Sequence, residues 1–426
     1  MFPPISSHAQ KVIKTLEKFV NEECITNEER FEKELGQGSQ RFKSETSVVE
    51  ELRVKAKGLG LWNLFLPKDF KEGPGFTNYE YAYMCEIMGR SQNLAPVATN
   101  CDFPDSGNIE LLAHYGTEKQ KKQWLEPLLE GKIGSAFAMT EPDAPSSDAT
   151  SINCKLTPTH GGYLINGKKH WITNSGNPNL KLLLVMVRSG KSNEEIAESS
   201  VKSGEYSPHK QHSLVIVPVN SPGLSITRPL TIFGFDDAPR GHCEIIFKNV
   251  FIPRENMVFE EGRGFEVVQR RLGPARLHHT MRAIGTAERA LELLIDRALK
   301  RKVKGVALAD MGVITEWIGK CRVEIESARL FVLNAAHTVD IRGSKAAKRE
   351  IAMTKVHVLN SVLSVIDRAI QLYGASGLGQ NTPLPEMFAN IRSLKIADGP
   401  DEVHLNQLGK NEIKEFKIRT AGRSKL

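Results

Sequence analysis

The residues most able to do chemistry in this chain stand in the run Ile396-Ala397-Asp398-Gly399-Pro400-Asp401-Glu402-Val403-His404. An acid precedes a Gly-Pro pair and two acids follow it, directly after an amphipathic stretch, so the segment reads as a turn between helices. Two uses of Asp398 follow from the residues alone. Its carboxylate can cap the next helix, because Asp-Gly-Pro-Asp-Glu is a good helix start. Held away from water, it can instead act as a general base on a weakly acidic C–H. The remaining candidates carry less. His278-His279 has no Cys or Glu at metal-ligand spacing and reads as a packed or capping pair, so no metal is expected. Gly374-Ala375-Ser376-Gly377-Leu378-Gly379 follows a helical pattern and misses Gly-x-Gly-x-x-Gly, so it is not a Rossmann loop. Neither a Walker lysine nor a Gly-x-Ser-x-Gly nucleophile motif accompanies it.

The elements that must position these residues follow from apolar periodicity. From Val12 to about Leu129 the pattern is mostly helical, broken at Gly58, Gly60, Pro67, Gly73-Pro74-Gly75 and Pro104. Between Ser135 and Val250 it changes to short β-rich runs, among them Tyr163–Lys168, Leu182–Val187, Leu214–Pro218 and Glu244–Phe247. Helical periodicity returns from Gly264. One stripe joins Ile314, Trp317, Ile318, Cys321, Ile325 and Ala328, and another joins Leu359, Val362, Leu363, Ile366, Ala369, Ile370 and Tyr373. Both stripes are core packing. The expected organisation is α+β: a helical domain over 1–134, a β-sheet domain over 135–259 and a helical domain over 260–426. Ser189 to His212 is a polar insertion without apolar period, expected as a mobile surface loop.

Composition sets wider bounds. With 426 residues, 40% apolar and 25% charged, the chain can bury a large core. Its six cysteines are scattered without a Cys-x-x-Cys pair, which points to buried free thiols. The net charge of +7 is spread among nearly as many acids, as on a solvated surface, and Lys410 to Lys425 is too short and interrupted for a nucleic-acid arm. Some excess positive charge suits an anionic, phosphate-bearing substrate. No apolar run approaches the ~20 residues that cross a bilayer, and Glu17, Glu22 and Glu23 come too early for a transit peptide. Ser424-Lys425-Leu426, preceded by Arg423, reads as a peroxisomal address, with the import receptor as its partner.

Several separated segments share one resemblance. Phe137-Ala138-Met139-Thr140-Glu141-Pro142, then Ser147-Asp148, Gly167-Lys168-Lys169-His170-Trp171-Ile172-Thr173-Asn174, Ala298-Leu299-Lys300-Arg301-Lys302, Gln371-Leu372-Tyr373-Gly374-Ala375-Ser376-Gly377 and the Asp398 turn all resemble segments of the acyl-CoA dehydrogenase family. The resemblance covers nearly the whole chain. Within the family, the Asp398 turn and Ala275-Arg276-Leu277-His278-His279-Thr280-Met281-Arg282 are most similar to the branch of acyl-CoA dehydrogenases 10 and 11, of which this chain corresponds to the dehydrogenase part.

The resemblance implies an N-terminal helical domain, a middle β-sheet domain and a C-terminal four-helix bundle. It implies FAD held by Phe137, Ala138, Met139, Thr140, Ser147, Trp171, Ile172 and Thr173, by Gln371, Gly374 and Gly377 under the adenylate, by Arg301 of a neighbouring subunit at the diphosphate, and by Pro400 and Glu402. It implies an acyl-CoA substrate contacted by Ser147, Arg276 and Gly399, with Asp398 as the base that takes the α-proton while the β-hydride passes to flavin N5. A homo-oligomer, dimer or tetramer, is implied as well. Departures are specific: the loop at Asp143-Ala144-Pro145-Ser146 is one residue longer, Asp398 replaces the usual Glu, Gly273 replaces an Asp, and Ala275 occupies the alternative position for the base. An oxygen-using acyl-CoA oxidase, normally with a further helical domain, and a nucleic-acid-binding flavoprotein of the same fold are the competing function classes. The natural electron acceptor stays open.

Overall fold

The computed structural model describes residues 2–191 and 207–423, the side chains of 270–274 and 422–423 excepted. With helices of eight residues or more numbered in chain order, the chain opens with α1 Ser7–Phe19, α2 Glu28–Leu35, α3 Ser47–Gly58, α4 Asn78–Met88 and α5 Asp105–Tyr115. Strands follow: β1 Gly134–Ala138, β2 Lys155–Thr159, β3 Gly162–Thr173, β4 Leu180–Arg188, β5 His212–Pro218, β6 Leu224–Leu230 and β7 His242–Pro253. The last stretch holds four long helices and one short one, α6 Gly264–Lys300, α7 Gly312–Arg342, α8 Lys348–Tyr373, α9 Leu384–Leu394 and α10 Asp401–Arg423. The order helices, sheet, helices is the expected one. By contact the backbone groups into two compact units, one of Met1–Val20, Phe76–Ala95 and Gly273–Leu426, the other of Asn21–Gly75 and Pro96–Leu272. Thus α1 and α4 belong with the C-terminal helices, whereas α2, α3 and α5 belong with the sheet.

In the sheet unit the strands run β1-β4-β2-β3-β7-β6, with β5 also paired to β4. Leu182 to Val187 of β4 are all fully buried, between parallel β1 and antiparallel β5. A strand covered on both faces reads as a continuous apolar run instead of an alternating one. Each such side chain contributes about 1.5–3 kcal/mol by leaving water. The pairing of β3 with β7 matters most for function. It shifts register twice, the second time between Lys169 and Ile172, which takes His170 and Trp171 out of step with the ladder. Such a bulge re-aims side chains.

In the helical unit, Ile314, Cys321, Ile325 and Ala328 of α7 are buried, as are Leu359, Val362, Ile366 and Ala369 of α8. The centre of each expected stripe is therefore core, while Trp317, Ile318, Leu363, Ile370 and Tyr373 at the flanks are half-buried. Gly374 ends α8 with a φ of +63°, where a side chain would be strained.

All six cysteines are buried thiols outside any disulfide. Among the described residues, no helix is long and apolar enough to cross a membrane. Residues 192–206 of the polar insertion lie outside the described residues, as do Ser424-Lys425-Leu426. The insertion ends earlier than its composition indicates. His212 is buried and pairs with Arg188 as the first residue of β5, while Ser189 and Gly190 donate to the Gln211 carbonyl at 3.0 Å.

Candidate active site

The turn that carries Asp398 joins α9 to α10 in the helical unit. Asp398 has a φ of +56° and Gly399 one of +101°. For an L-residue the left-handed region costs roughly 1–3 kcal/mol, so the surroundings must hold it. Two cations do so, half-buried Arg276 and buried Lys355. Arg276 of α6 donates from Nε to the Asp398 carbonyl at 2.8 Å, and Lys355 of α8 donates from Nζ to the Gly399 carbonyl at 2.5 Å. Burial pushes the Lys355 ammonium down to about 8, with Asp398 and Asp401 opposing the shift. Gly399 is required for conformation and room, because a Cβ there would lie 3.2 Å from His404 Nε2. Since C=O and N–H point opposite ways across a trans peptide, the Arg276 contact turns the Gly399 N–H away from that guanidinium.

The Asp398 side chain is treated differently from its backbone. Its side chain is only 14% exposed, and Oδ2 is buried without a hydrogen-bond partner. His279 Nε2 faces that oxygen at 3.6 Å. Helix α10 opens with Asp401 and Glu402 in its first turn, and Asp398 Oδ2, which accepts from no N–H, does not cap it. Asp401 engages Lys395 at 3.1 Å, and burial, then Arg276 and Lys355, press His404 down to about 4. At neutral pH that imidazole is uncharged.

Of these residues, Asp398, Gly399, Pro400 and Arg276 are assigned roles from the sequence, His279 reads there only as part of a packed or capping pair, His404 has no role there, and Lys355 is missed. Lys355 left a signal: it stands four residues after Ile351 and four before Leu359 on the buried stripe of α8. His278 is packed, edge-on to Tyr81 at 4.9 Å between ring centroids, and burial pushes it down to about 3. Ala275 is buried beside Arg276.

In the same unit, Arg301 is exposed at the end of α6, its N–H bonded to the Arg297 carbonyl at 2.9 Å. Gln371 is exposed in the last turn of α8. Gly377 is buried where a Cβ would come within 2.5 Å of the Ile370 carbonyl, and Glu402 is exposed. An exposed guanidinium beyond a helix end suits a phosphate.

The sheet unit carries the other predicted residues. Phe137 and Ala138 end β1, and Met139 and Thr140 follow it. Thr140 is bonded twice to the bulged residue: its Oγ1 donates to the His170 carbonyl, and the His170 N–H donates to the Thr140 carbonyl at 3.1 Å. Lys169, fully buried, donates to the Met139 carbonyl at 2.9 Å and to Glu141 at 2.7 Å. The bulge therefore ties the segment after β1 to the middle of β3. It leaves Trp171 44% exposed with a φ of +54°, while Ile172 beside it is buried.

Thr173 Oγ1 lies 3.1 Å from His242 Nδ1, and Asp237 Oδ2 lies 3.5 Å from His242 Nε2. Ser147 is exposed on the loop after β1, next to Asp148, whose Oδ1 accepts from Thr150 N at 3.0 Å. A raised, half-exposed indole flanked by the hydroxyls of Thr140 and Thr173 suits a planar ring system with a polar rim.

Three models of one family tile the chain: acyl-CoA dehydrogenase, N-terminal domain over 6–132, middle domain over 136–250 and C-terminal domain over 262–413. The chain belongs to the acyl-CoA dehydrogenase family. Acyl-CoA dehydrogenase family member 11 of Gallus gallus is 45% identical over 412 residues, which are 96% of this chain and 51% of that protein. The chain thus spans about half the length of that relative. FadE2 of Mycobacterium tuberculosis, named as a candidate acyl-CoA dehydrogenase, is 45% identical over 370 residues, 87% of this chain and 86% of that one. A solved structure from Mycobacterium abscessus, described as a candidate acyl-CoA dehydrogenase, superposes with a TM-score of 0.90 at 38% identity and covers 97% of this chain and 100% of its own. The acyl-CoA dehydrogenase middle domain coincides with the sheet, and its C-terminal domain with α6 to α10.

Proposed function

We propose that this chain is a FAD-dependent acyl-CoA dehydrogenase that converts an acyl-CoA thioester to the trans-2-enoyl-CoA, with Asp398 as the base. The observation that carries this reading is the Asp398 carboxylate: nearly buried, with no donor within hydrogen-bond distance of Oδ2, on a backbone held in the left-handed region by Arg276 and Lys355. Leaving a buried polar atom unpaired costs about 1–3 kcal/mol. Taking a proton from bound substrate gives that oxygen its partner.

The α-proton of a thioester is weakly acidic, so its removal needs a carboxylate at the α-carbon and a donor on the thioester oxygen where charge develops. Asp398 is the carboxylate. The Asp398 and Gly399 N–H groups are the donors offered by the same turn. Asp is shorter than the usual Glu by one C–C bond, about 1.5 Å, and placement at that scale governs rate. The clamp of Arg276 and Lys355 on successive carbonyls holds the shorter acid in place. Thr140, Trp171 and Thr173 would hold the flavin ring, with Phe137, Ala138, Met139, Ser147 and Ile172 around it. Arg301 and the Gln371–Gly377 loop of a neighbouring subunit would hold the diphosphate and adenylate, and Pro400 and Glu402 would also contact FAD. When bound, FAD supplies the two-electron acceptor for the β-hydrogen.

The enzyme is a peroxisomal homo-oligomer under this reading, directed by Ser424-Lys425-Leu426. Anaerobic addition of acyl-CoAs of graded length to the yellow protein tests the reaction. Bleaching by at least one of them is expected, and none by any would overturn it. Peroxide released per enoyl-CoA formed, without an added acceptor, decides the electron acceptor: a ratio near one identifies an oxidase, slow reoxidation in air a dehydrogenase. A reporter carrying the last residues with and without Leu426 tests the address.

A further inference from the structure

The sheet unit holds a three-residue chain of polar contacts that the reaction above does not use. Asp237 Oδ2 faces His242 Nε2 at 3.5 Å, and His242 Nδ1 meets Thr173 Oγ1 at 3.1 Å. The three residues come from separate places, the loop before β7, its first residue and the last residue of β3, and the pairing of Thr173 with His242 in the ladder brings them together. Trp171, raised by the bulge two residues earlier, has its ring centroid 6.0 Å from that of His242. The imidazole thus stands behind both side chains of the Trp-Ile-Thr segment that are not buried in the sheet core.

From this geometry we propose that His242, oriented by Asp237, is a positioning residue that fixes the direction of the Thr173 hydroxyl and thereby favours the reduced form of the flavin. A carboxylate facing one ring nitrogen places the proton there and leaves the other nitrogen an acceptor. With Nε2–H directed at Asp237, Nδ1 must accept, so the Thr173 hydroxyl donates to His242. Its lone pairs are then what it offers on its other side. Thr173 without His242 could donate or accept, because a hydroxyl rotates to suit its partner. Flavin N5 accepts hydrogen bonds in oxidised FAD and bears an N–H in reduced FAD. An oxygen held as an acceptor therefore matches the reduced form and opposes the oxidised one. This inference rests on the reading that Thr173 faces the flavin ring.

The test is the midpoint potential of FAD bound to the intact protein, measured by equilibration with a reference dye, for wild type, His242→Phe, Thr173→Val and the double variant. His242→Phe is expected to shift the reduced-to-oxidised ratio about fivefold toward oxidised, the roughly 1 kcal/mol that one hydrogen bond contributes; for a two-electron couple that is about 20 mV lower. In the Thr173→Val background the same substitution should shift it by less than twofold, because the hydroxyl through which His242 acts is gone. Asp237→Asn should give part of the shift, and His242→Gln, whose carbonyl can still accept from Thr173, should restore most of it. An unchanged or raised potential in flavin-loaded His242→Phe overturns the inference while leaving the proposed reaction intact. An equal shift with and without the Thr173 hydroxyl also overturns it, since the effect would then be structural. A chain that takes up no FAD overturns both this inference and the function on which it rests.

Discussion

Two buried carboxylates, one in each unit, are treated in opposite ways. Glu141 of the sheet unit is saturated: one oxygen accepts from Lys169 at 2.7 Å and Cys154 N at 2.9 Å, the other from Asn153 N at 2.7 Å. At Asp398 of the helical unit the cations bind main chain, Arg276 the Asp398 carbonyl and Lys355 that of Gly399, while Oδ2 has no hydrogen-bond donor and only His279 Nε2 faces it, at 3.6 Å. Both lie in segments that the sequence marks as important. Burial of an acid therefore does not identify a base. What separates them is where the donors go: in the sheet they neutralise the side chain and tie strands together, and in the turn they fix the main chain and leave the side chain for chemistry.

The sharpest way to break this contrast is Asp398→Asn. The variant should retain its fold and FAD, bind acyl-CoA, and lose flavin bleaching by about 10³-fold, in the range that a general base contributes. Stopped-flow absorbance with a substrate that bleaches the wild type reads it directly, and unchanged bleaching would move the base elsewhere. The mirror experiment is Lys169→Met, which strips Glu141 of its cation inside the sheet. Leaving one partner of a buried pair uncompensated costs about 3–5 kcal/mol, so a large fall in the urea unfolding midpoint is expected. A midpoint equal to wild type would show that the pair is not structural.

A smaller effect sharpens the contrast within the helical unit. Arg301 is exposed and holds nothing of the turn, so Arg301→Ala should weaken FAD retention about tenfold, as loss of a charge-assisted contact does, with no change in the unfolding midpoint. Equal retention measured by flavin release on dilution would remove Arg301 from the diphosphate site.

The smallest effect concerns Lys355 and pH. Its folded value of about 8 lies below the ordinary lysine range of about 10.4. Between those two values the folded chain binds fewer protons than the unfolded one, so the contribution of Lys355 to stability grows as pH rises through that window. Lys355→Met should flatten this part of the stability profile and lower turnover about tenfold by loosening the turn. A profile identical to wild type in slope would mean that Lys355 is not held as the structure has it.

Much of this was legible in the chain before any coordinates. The run Leu182–Val187 reads as a β-rich segment from its residue types, and the stripes of α7 and α8 mark the face that packs, because a period of 3.6 residues encodes which side of a helix meets water. The tract around Trp171 and the acid of the Asp-Gly-Pro turn named the candidate site, since those signals lie within a few consecutive residues. Where the polar insertion ends was less legible: His212 is polar by type but is drawn into β5 by its ladder partner Arg188.

What composition and periodicity cannot carry is which distant groups meet. Arg276 reaches the Asp398 carbonyl across 122 positions, Lys355 reaches Gly399 across 44, and His242 reaches Thr173 across 69. The exposure of Trp171 depends on a register shift against β7 that no pattern within β3 announces. By itself the sequence determined the elements, their buried faces and the acid in the turn. Only the tertiary structure decided that Arg276 and Lys355 bind the main chain of the turn and not the Asp398 carboxylate, because that depends on how helices separated in sequence pack, a choice made by the whole core at once and not by any local period.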